Sequence, residues 1–313
     1  MEKFGNNQSM KTIIVFGVFV ADLCFFSKQI PLTGQTIIGN NHIIGPGGKG
    51  SNQAISAARL GGDVQFITKI GKDNYSDMAL ATFKDSGVKT KYIIQEETLN
   101  TGVAGIFVSE SSGENAITIV PGAAGTIKNE DIDNLKDIFV KSNIFLTQLE
   151  TPTKTTLYAL KKAKDNGCIT ILNPAPAIDI DQKLFSNIDF FTPNELEAGY
   201  YLKKDLKSKS DIQSAAKDFL DKGIKNIIIT LGEKGLYFAN KQEKYFVDTF
   251  KLKNKVVDTT GAGDAFNGAF AFALANDYKF KDALEFANKV AAISTTKIGA
   301  ANSMPKIKEI EKY

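Results

Sequence analysis

One carboxylate in a glycine-rich segment is the group of this chain best suited to acid–base chemistry. The segment reads DTTGAGD over residues 258–264 and runs into an apolar stretch, which predicts a helix buried on all sides. The N-terminus of such a helix presents free N–H groups, and the small residues Gly261, Ala262 and Gly263 would let an anion reach them. The helix dipole favours the carboxylate of Asp264 there. We therefore expect Asp264 to take a proton from a hydroxyl that attacks a phosphoryl group, with a simple helix-terminal acid as the structural alternative.

A second candidate site lies in the segment GPGGKGSN, residues 45–52, which precedes a helical pattern. Its glycines allow close backbone approach, while Lys49 and Asn52 add a cation and an amide, a set that suits a polyhydroxylated or anionic small ligand. The alternative is a tight loop–helix junction capped by Ser51. The segment also contains GxGxxG, but that fingerprint should open the helix after the first strand of a βαβ unit, so an NAD-dependent dehydrogenase is a remote alternative. A Walker A loop is excluded because Gly50 follows Lys49 where that motif has serine or threonine.

The rarer residues exclude several classes of chemistry. The 313 residues include one histidine, two cysteines and one arginine. A zinc protease of the HExxH type and a site of several histidines are therefore excluded, and two distant cysteines form neither a CxxC pair nor a four-cysteine zinc site. Unpaired thiols are typical of a reducing compartment, so we expect a cytoplasmic protein.

Charge and hydropathy argue against two kinds of partner. The 38 basic and 35 acidic residues give a formal charge of +3 and are spread along the chain, so no basic stripe indicates nucleic acid. No apolar run reaches the roughly 20 residues that a membrane helix needs, so we expect no membrane partner. The lysine-rich stretches 203–209 and 251–255 are interpreted as solvated faces.

Two kinds of element alternate along most of the chain and must position these candidate groups. β-rich runs at 12–20, 64–70, 143–149, 168–172, 188–192 and 225–231 are separated by helical patterns such as 51–60, 75–84 and 211–221. This alternation predicts an α/β fold with a mostly parallel central sheet and helices on both faces.

One stretch breaks the alternation and predicts a lid. Residues 101–122 contain two β-type runs joined by SSGEN, which indicates a hairpin, and a further β-type run at about 34–44 precedes the first helix. We expect a small antiparallel sheet, formed by about 18–45 and 99–122, that covers a substrate. A single domain over 11–313 is preferred, preceded by a polar tail at 1–10, and translation could start at Met1 or at Met10.

Several motifs together resemble those of a known family. The segments GGKGSNQAISAARLGG (47–62) and DTTGAGDAFNGAF (258–270) are similar to the N- and C-terminal signatures of the ribokinase-like (PfkB) carbohydrate kinases, and TQLE (147–150), LNPAPA (172–177), TPNELE (192–197), TLGEKG (230–235) and GAANSMP (299–305) add to the resemblance. It covers about residues 11–310. The resemblance implies a ribokinase-like α/β fold with a small β-sheet lid. It also implies an ATP-dependent phosphotransferase with an alcohol group as acceptor. The leading candidate acceptor is the 5-hydroxyl of D-ribose, which would give ribose 5-phosphate.

The resemblance also implies roles for individual residues. Asp264 would be the base, and the N–H groups of Gly261, Ala262 and Gly263 would form an anion hole for the developing charge. The positions that match the sugar site are Val20, Asp22, Gly48, Lys49, Asn52, Glu150 and Asp264. Those that match the nucleotide site are Asn194, Thr230, Leu231, Gly232, Glu233, Lys234, Gly235, Gly263 and Asn288.

The same resemblance implies cations and a partner. Glu197, with Asn194, matches a pair linked to Mg²⁺ and the phosphates of ATP. A site for K⁺ would be formed by Asp258, Thr260, Ser294, Lys297, Gly299 and Ser303. The family resemblance further implies a homodimer that forms through the lid sheets.

The chain departs from the family pattern at one position of the sugar site. Members that act on ribose usually have an asparagine two residues before the aspartate, whereas this chain has Val20 before Asp22. Losing an amide partner for one hydroxyl lowers the preference for the sugar that carries it by roughly 1–3 kcal/mol. Phosphorylation of 2-deoxyribose or another furanose therefore remains an alternative. A non-catalytic sugar-binding protein is a further one, against which the intact Asp264 argues.

Overall fold

The computed structural model describes residues 11–313, so the predicted polar tail at 1–10 and the possible start at Met10 lie outside the described residues. The strands are β1 (Thr12–Phe16), β2 (Val20–Ser27), β3 (Asn41–Gly47), β4 (Asp63–Ile70), β5 (Ile93–Gln95), β6 (Thr101–Ser109), β7 (Asn115–Gly122), β8 (Ile144–Thr147), β9 (Ile169–Leu172), β10 (Phe190–Phe191), β11 (Asn226–Thr230), β12 (Leu236–Ala239) and β13 (Lys244–Val247).

The α-helices are α1 (Lys49–Arg59), α2 (Asn74–Ser86), α3 (Asn129–Asp133), α4 (Lys136–Lys141), α5 (Thr153–Asp165), α6 (Glu195–Leu202), α7 (Lys209–Asp221), α8 (Ala262–Ala275), α9 (Phe280–Ser294) and α10 (Ile307–Ile310). Short 3-10 helices cover Ala123–Thr126, Gln182–Asn187, Gly232–Lys234 and Ala301–Ser303. None of the helices from residue 11 onward is long and apolar enough to cross a membrane.

The central sheet has the order β13-β12-β11-β10-β9-β8-β1-β4-β5. The strands from β11 to β5 pair in parallel, and β12 and β13 extend the sheet as an antiparallel edge. Central strands such as β1 are apolar at consecutive positions, because both faces of a parallel sheet are covered. One core cluster joins the sheet to α1, α8 and α9, and a second joins the opposite face to α5 and α7. The predicted α/β sheet with helices on both faces is confirmed.

The lid is a separate sheet with the order β3-β2-β6-β7. The predicted small β-sheet lid is confirmed, and its outer pairs are antiparallel as expected. The central pair β2–β6 is parallel, so the expected antiparallel sheet is in fact mixed. The predicted strand at 12–20 also divides into two elements. Strand β1 ends just before Gly17, and the chain enters the lid at Val20. The sequence did not show this boundary, because the residues on both sides of Gly17 are apolar. The run predicted at 34–44 begins only at Asn41 and continues to Gly47.

Close packing of α1 against α8 brings the two glycine-rich segments together. Gly268 of α8 lies against α1, and a Cβ at this position would come within 2.4 Å of the backbone oxygen of Gln53. The hydroxyl of Ser56 donates to the carbonyl of Ala265 across the same contact, at 3.0 Å. The N-terminal halves of both helices therefore share one buried interface, at which the candidate base lies.

Candidate active site

Asp264 lies where the two glycine-rich segments meet. Gly261 takes a positive φ of 76°, α8 begins at the next residue, and Asp264 follows in the first turn. Asp264 is 6% exposed. Its Oδ2 accepts a 2.9 Å hydrogen bond from Nδ2 of Asn52, and its Oδ1 accepts one of 2.9 Å from Nε2 of Gln53. Both oxygens of the predicted base are therefore held by amide groups of α1.

The backbone at the start of α8 supplies donors for the predicted anion hole. The N–H of Ala262 already donates to the carbonyl of Thr259 at 3.2 Å. Across residues 11–313, no backbone carbonyl accepts a hydrogen bond from the N–H of Gly261 or of Gly263. The N–H groups of Gly261 and Gly263 are therefore available to an anion, whereas that of Ala262 already has a partner.

Lys49 opens α1 and stands among acidic groups. Its backbone N–H donates to Oε2 of Glu150 at 2.8 Å, which ties the segment after β8 to the start of α1. The charge of Asp264 raises the pKa of the Lys49 ammonium, and burial opposes this rise while Glu150 and Glu197 add to it. Burial raises the pKa of Glu150 to about 7, although Lys49 lowers it. The site therefore contains a firmly charged ammonium beside a carboxyl group that titrates near neutral pH.

The lid strand β2 brings Asp22 to the same site, and Val20 lies two residues before it on this strand. Burial raises the pKa of Asp22 to about 6, and the charge of Asp264 raises it further. Val20 is 2% exposed and packs in a small apolar cluster with Val18 and Ala104 of the lid. The predicted sugar residues thus come together from the lid, α1, the segment after β8 and α8. Carboxyl, ammonium and amide groups of this kind are partners for several hydroxyls of one small ligand.

A cavity of about 590 Å³ opens at the start of α8, a volume typical of small-molecule sites. Six of the predicted nucleotide residues line it: Thr230, Gly232, Glu233, Gly235, Gly263 and Asn288. Two members of the TLGEKG segment are not among the lining residues. Leu231 packs in the second core cluster and Lys234 is exposed. Because Gly263 lines this cavity and Asp264 binds α1, the first turn of α8 contacts both binding spaces.

The sequence interpretation missed one wall of this cavity. Lys251, Leu252 and Asn254 line it, although the stretch 251–255 was interpreted as a solvated face. The stretch lies in an irregular segment between β13 and α8, so no helical or strand period marked its inner side. Ala262 of the predicted anion hole also lines the cavity, and the lining residues without a predicted role are Leu236, Thr249, Phe250, Val256, Thr259, Phe266, Ala291, Ala292 and Thr295.

Asn194 and Glu197 form the N-terminal cap of α6. The Asn194 Oδ1 accepts from the N–H of Glu197 at 2.8 Å, and the Glu197 Oε2 accepts from the N–H of Asn194 at 2.9 Å. Asn194 also forms an isolated parallel bridge with Thr230, which places the cap beside the nucleotide segment. Burial raises the pKa of Glu197. The cap uses Oε2, so Oε1 is the atom that could hold a water-bound Mg²⁺, and the residues fit this ion.

The predicted K⁺ residues come from two segments that the structure joins, the loop before α8 and the stretch from the end of α9 to Ser303. The Asp258 Oδ2 accepts from the N–H of Gly299 at 2.8 Å, and Oδ1 accepts from the N–H of Thr260 at 2.9 Å. Partial burial raises the pKa of Asp258, but these hydrogen bonds lower it more, so the pKa lies below its usual value. The ammonium group of Lys297 pairs with Glu309 and has no lone pair for a cation, so its backbone carbonyl is the group that could bind one.

Most of the groups in these two segments that could bind a cation are oxygen atoms. The hydroxyls of Ser294 and Ser303 donate to the carbonyls of Ala291 and Ala300, both at 2.8 Å, which leaves lone pairs on each oxygen. Within the described part of the chain, no group of three or more His, Cys, Asp or Glu side chains could hold a metal ion. Carbonyl and hydroxyl oxygens fit a weakly held monovalent cation.

A cluster of buried amides behind Asp264 was also missed. Besides Gln53, it contains Gln148, Asn173 and Asn267. Each lies within a motif quoted above for the family resemblance, but no role was predicted for any of them. A polar residue in an apolar run was the available signal, since buried amides in proteins are hydrogen-bonded.

Comparison with known protein families supports the resemblance. The family described as "pfkB family carbohydrate kinase" matches residues 10–307. A deoxyribokinase of Salmonella typhimurium is 35% identical over 302 residues, which cover 96% of this chain and 98% of that protein. A ribokinase of Haemophilus influenzae is 38% identical over 295 residues, which cover 94% and 95% of the two chains.

Solved structures show the same fold. The crystal structure of a ribokinase from Thermotoga maritima matches with a TM-score of 0.87 and 38% identity, covering 96% of this chain and 98% of that one. An Arabidopsis thaliana ribokinase complexed with ribose and ATP matches with a TM-score of 0.89 and 28% identity, covering 97% and 98%. The ribokinase-like fold predicted from the motifs is confirmed.

Proposed function

The chain belongs to the pfkB family of carbohydrate kinases, and from that premise we propose that it transfers the γ-phosphate of ATP to the 5-hydroxyl of D-ribose, giving ribose 5-phosphate. The observation that carries the proposal is the position of Asp264. Its carboxylate accepts a hydrogen bond from the amide of Asn52 in the proposed sugar site, while the adjacent Gly263 lines the cavity proposed for the nucleotide. A base at the boundary between a polyol site and a nucleotide site is what phosphoryl transfer to an alcohol requires.

Each group of the proposed site has a role in this reaction. Asp22, Lys49, Asn52 and Glu150 bind the sugar hydroxyls and orient the acceptor hydroxyl toward Asp264. Asp264 accepts the proton of that hydroxyl as its oxygen attacks the γ-phosphorus and the bond to ADP breaks. The N–H groups of Gly261 and Gly263, joined by Ala262, stabilise the negative charge that develops on the phosphoryl group.

Cations complete the proposed site. Glu197 and Asn194 would hold Mg²⁺ through water, and when bound the ion neutralises charge on the phosphates of ATP. The two segments that contain Asp258, Thr260, Ser294, Lys297, Gly299 and Ser303 would hold K⁺ beside the anion hole. The near absence of arginine supports these assignments, because the phosphate charge must then be balanced by backbone N–H groups, lysine and cations.

Val20 supports a second substrate, 2-deoxyribose. The side chain beside Asp22 is buried and apolar, so it offers no partner to a hydroxyl. Relatives of comparable identity carry the names ribokinase and deoxyribokinase. A coupled assay of ADP release with ribose, 2-deoxyribose, fructose and a nucleoside tests the proposal. The highest kcat/KM is expected for ribose or 2-deoxyribose, and equal background rates with all four acceptors would contradict the proposed function.

The lid supports a proposed homodimer. Cys24, Ile43, Ile106 and Ile117 are directly paired across the four strands, so they share one face of this sheet. Ile43 is 43% exposed and Ile117 is 53% exposed. An exposed apolar sheet face of this kind is a candidate interface. We propose that residues 11–313 act as one domain with this sheet as its lid, that two copies associate through their lids, and that the cytoplasm is the compartment.

A further inference from the structure

We propose that Gln53 is a positioning residue for the base Asp264, and that Gln148 sets the orientation of Gln53. The inference rests on the proposed function. Gln53 is fully buried, Gln148 is 1% exposed, and neither belongs to the predicted sugar or nucleotide sites. Their amides form a chain of hydrogen bonds that ends on Oδ1 of Asp264.

The orientation of the Gln53 amide is fixed from two directions. The Asn173 Nδ2 donates to the backbone carbonyl of Thr192 at 3.0 Å, and this carbonyl can only accept. The Oδ1 of Asn173 therefore faces Gln53 and accepts from its Nε2 at 3.1 Å. On the other side, the Oε1 of Gln53 accepts from Nε2 of Gln148 at 2.5 Å. If the Gln53 amide were flipped, its oxygen would face the acceptor oxygens of Asn173 and Asp264, and its NH₂ group would face the donor Nε2 of Gln148.

This arrangement uses every hydrogen-bonding position of the Gln53 amide except one lone pair of Oε1. One N–H reaches Oδ1 of Asp264 at 2.9 Å, the second reaches Asn173, and the oxygen accepts from Gln148. Together with Asn52, which holds Oδ2, Gln53 prevents the carboxylate from rotating about its side-chain bond. A misplacement of about 1 Å in a reacting group can lower the rate by roughly 10²-fold, so fixing this carboxylate favours catalysis.

The network also has an energetic cost that points to function. The Oε1 of Gln148 is buried and has no hydrogen-bond partner among the described residues. A Cβ at Gly17 would lie 2.3 Å from this oxygen, so the backbone packs closely against it. An unpaired buried acceptor lowers stability. Gln148 therefore contributes mainly through its Nε2, which faces Gln53.

The test is a double-mutant cycle in kcat with Gln53→Met and Gln148→Met. Methionine keeps the length of glutamine and removes the amide. We expect Gln53→Met to lower kcat by about 10- to 100-fold, with KM for the sugar and for ATP changed less than about threefold. We expect Gln148→Met to lower kcat by about 3- to 10-fold. Because Gln148 acts through Gln53, the double variant should match Gln53→Met alone, whereas independent structural effects would multiply.

The controls separate the possible failures. Gln213→Met, on the exposed side of α7, should leave kcat unchanged. If the wild-type protein phosphorylates no sugar, the proposed function fails before the cycle begins. If it does and folded Gln53→Met keeps kcat within about twofold, or the two losses multiply, the inference is overturned. If Gln53→Met does not fold, Gln148→Met decides: a lower kcat at unchanged KM supports the inference, and an unchanged kcat overturns it.

Discussion

The Nδ2 of Asn52 lies 2.9 Å from the Oδ2 of Asp264, so two glycine-rich segments whose residues are 212 positions apart meet at one carboxylate. The contact depends on the close approach of α1 to α8 at Gly268. It links the residue that is expected to bind the sugar with the residue that is expected to remove its proton. Binding and proton transfer are therefore coupled through one hydrogen bond.

Asn52 also has a free acceptor. Its Oδ1 is buried and has no hydrogen-bond partner among residues 11–313, so a sugar hydroxyl is its expected donor. We predict that Asn52→Ala lowers kcat/KM for the sugar by about 10- to 100-fold, because it removes a partner of the sugar and one of Asp264. Steady-state kinetics measure this. Asn166→Ala, which removes an amide at the end of α5, is the control and should leave kcat/KM unchanged.

Glu150 should make the folded state sensitive to pH. Its pKa is raised from 4.5 to about 7, so between these values the folded protein binds a proton that the unfolded chain has lost. The free energy of unfolding therefore falls as pH rises through this window. We predict that Glu150→Gln reduces the loss of stability between pH 5 and pH 8 by about 1–3 kcal/mol. Urea unfolding at both pH values measures the effect, and an identical loss in both proteins would refute it.

The predictability of the site can be judged from these residues. Asp264 and its loop were predictable because an all-apolar helix after a glycine-rich turn must be buried with its N-terminus inside the protein. The lid strand β2 was not, since Val20 continues an apolar run and only the tertiary fold turns the chain at Gly17. The role of Gln53 depends on where three distant segments place their amides, which no local pattern encodes. The order of the strands likewise depends on long-range pairing.

Arg59, the sole arginine, should influence the cation site through the loop that it holds. Its Nη1 donates to the carbonyls of Ala301 and Met304, both at 2.9 Å, next to the predicted ligand Ser303. We predict that Arg59→Met raises the K⁺ concentration for half-maximal activity by about 10-fold, because it removes charged hydrogen bonds of about 1.5–3 kcal/mol each and so loosens the loop. A K⁺ titration at constant ionic strength, balanced with a large organic cation, measures this. Lys308→Met, on the exposed side of α10, removes the same charge and should behave like the wild type.

The lid face offers a direct test of the proposed dimer. Ile117 lies on the edge strand β7 and is half exposed. We predict that Ile117→Lys turns a dimer into a monomer, because a charge in an apolar interface cannot be paired there. Light scattering during size-exclusion chromatography measures the mass. Lys244→Glu, at the start of β13 on the edge of the central sheet, is the control and should remain dimeric. A monomeric wild-type protein would contradict the proposed assembly.

The identity of the base is the central claim, and Asp264→Asn tests it most directly. The variant keeps the shape of the side chain and removes its capacity to accept the proton. Turnover with the preferred sugar and ATP should fall by about 10²–10⁴-fold, while calorimetry shows both ligands binding with dissociation constants within about threefold of the wild-type values. Turnover at the wild-type rate in Asp264→Asn would contradict the account.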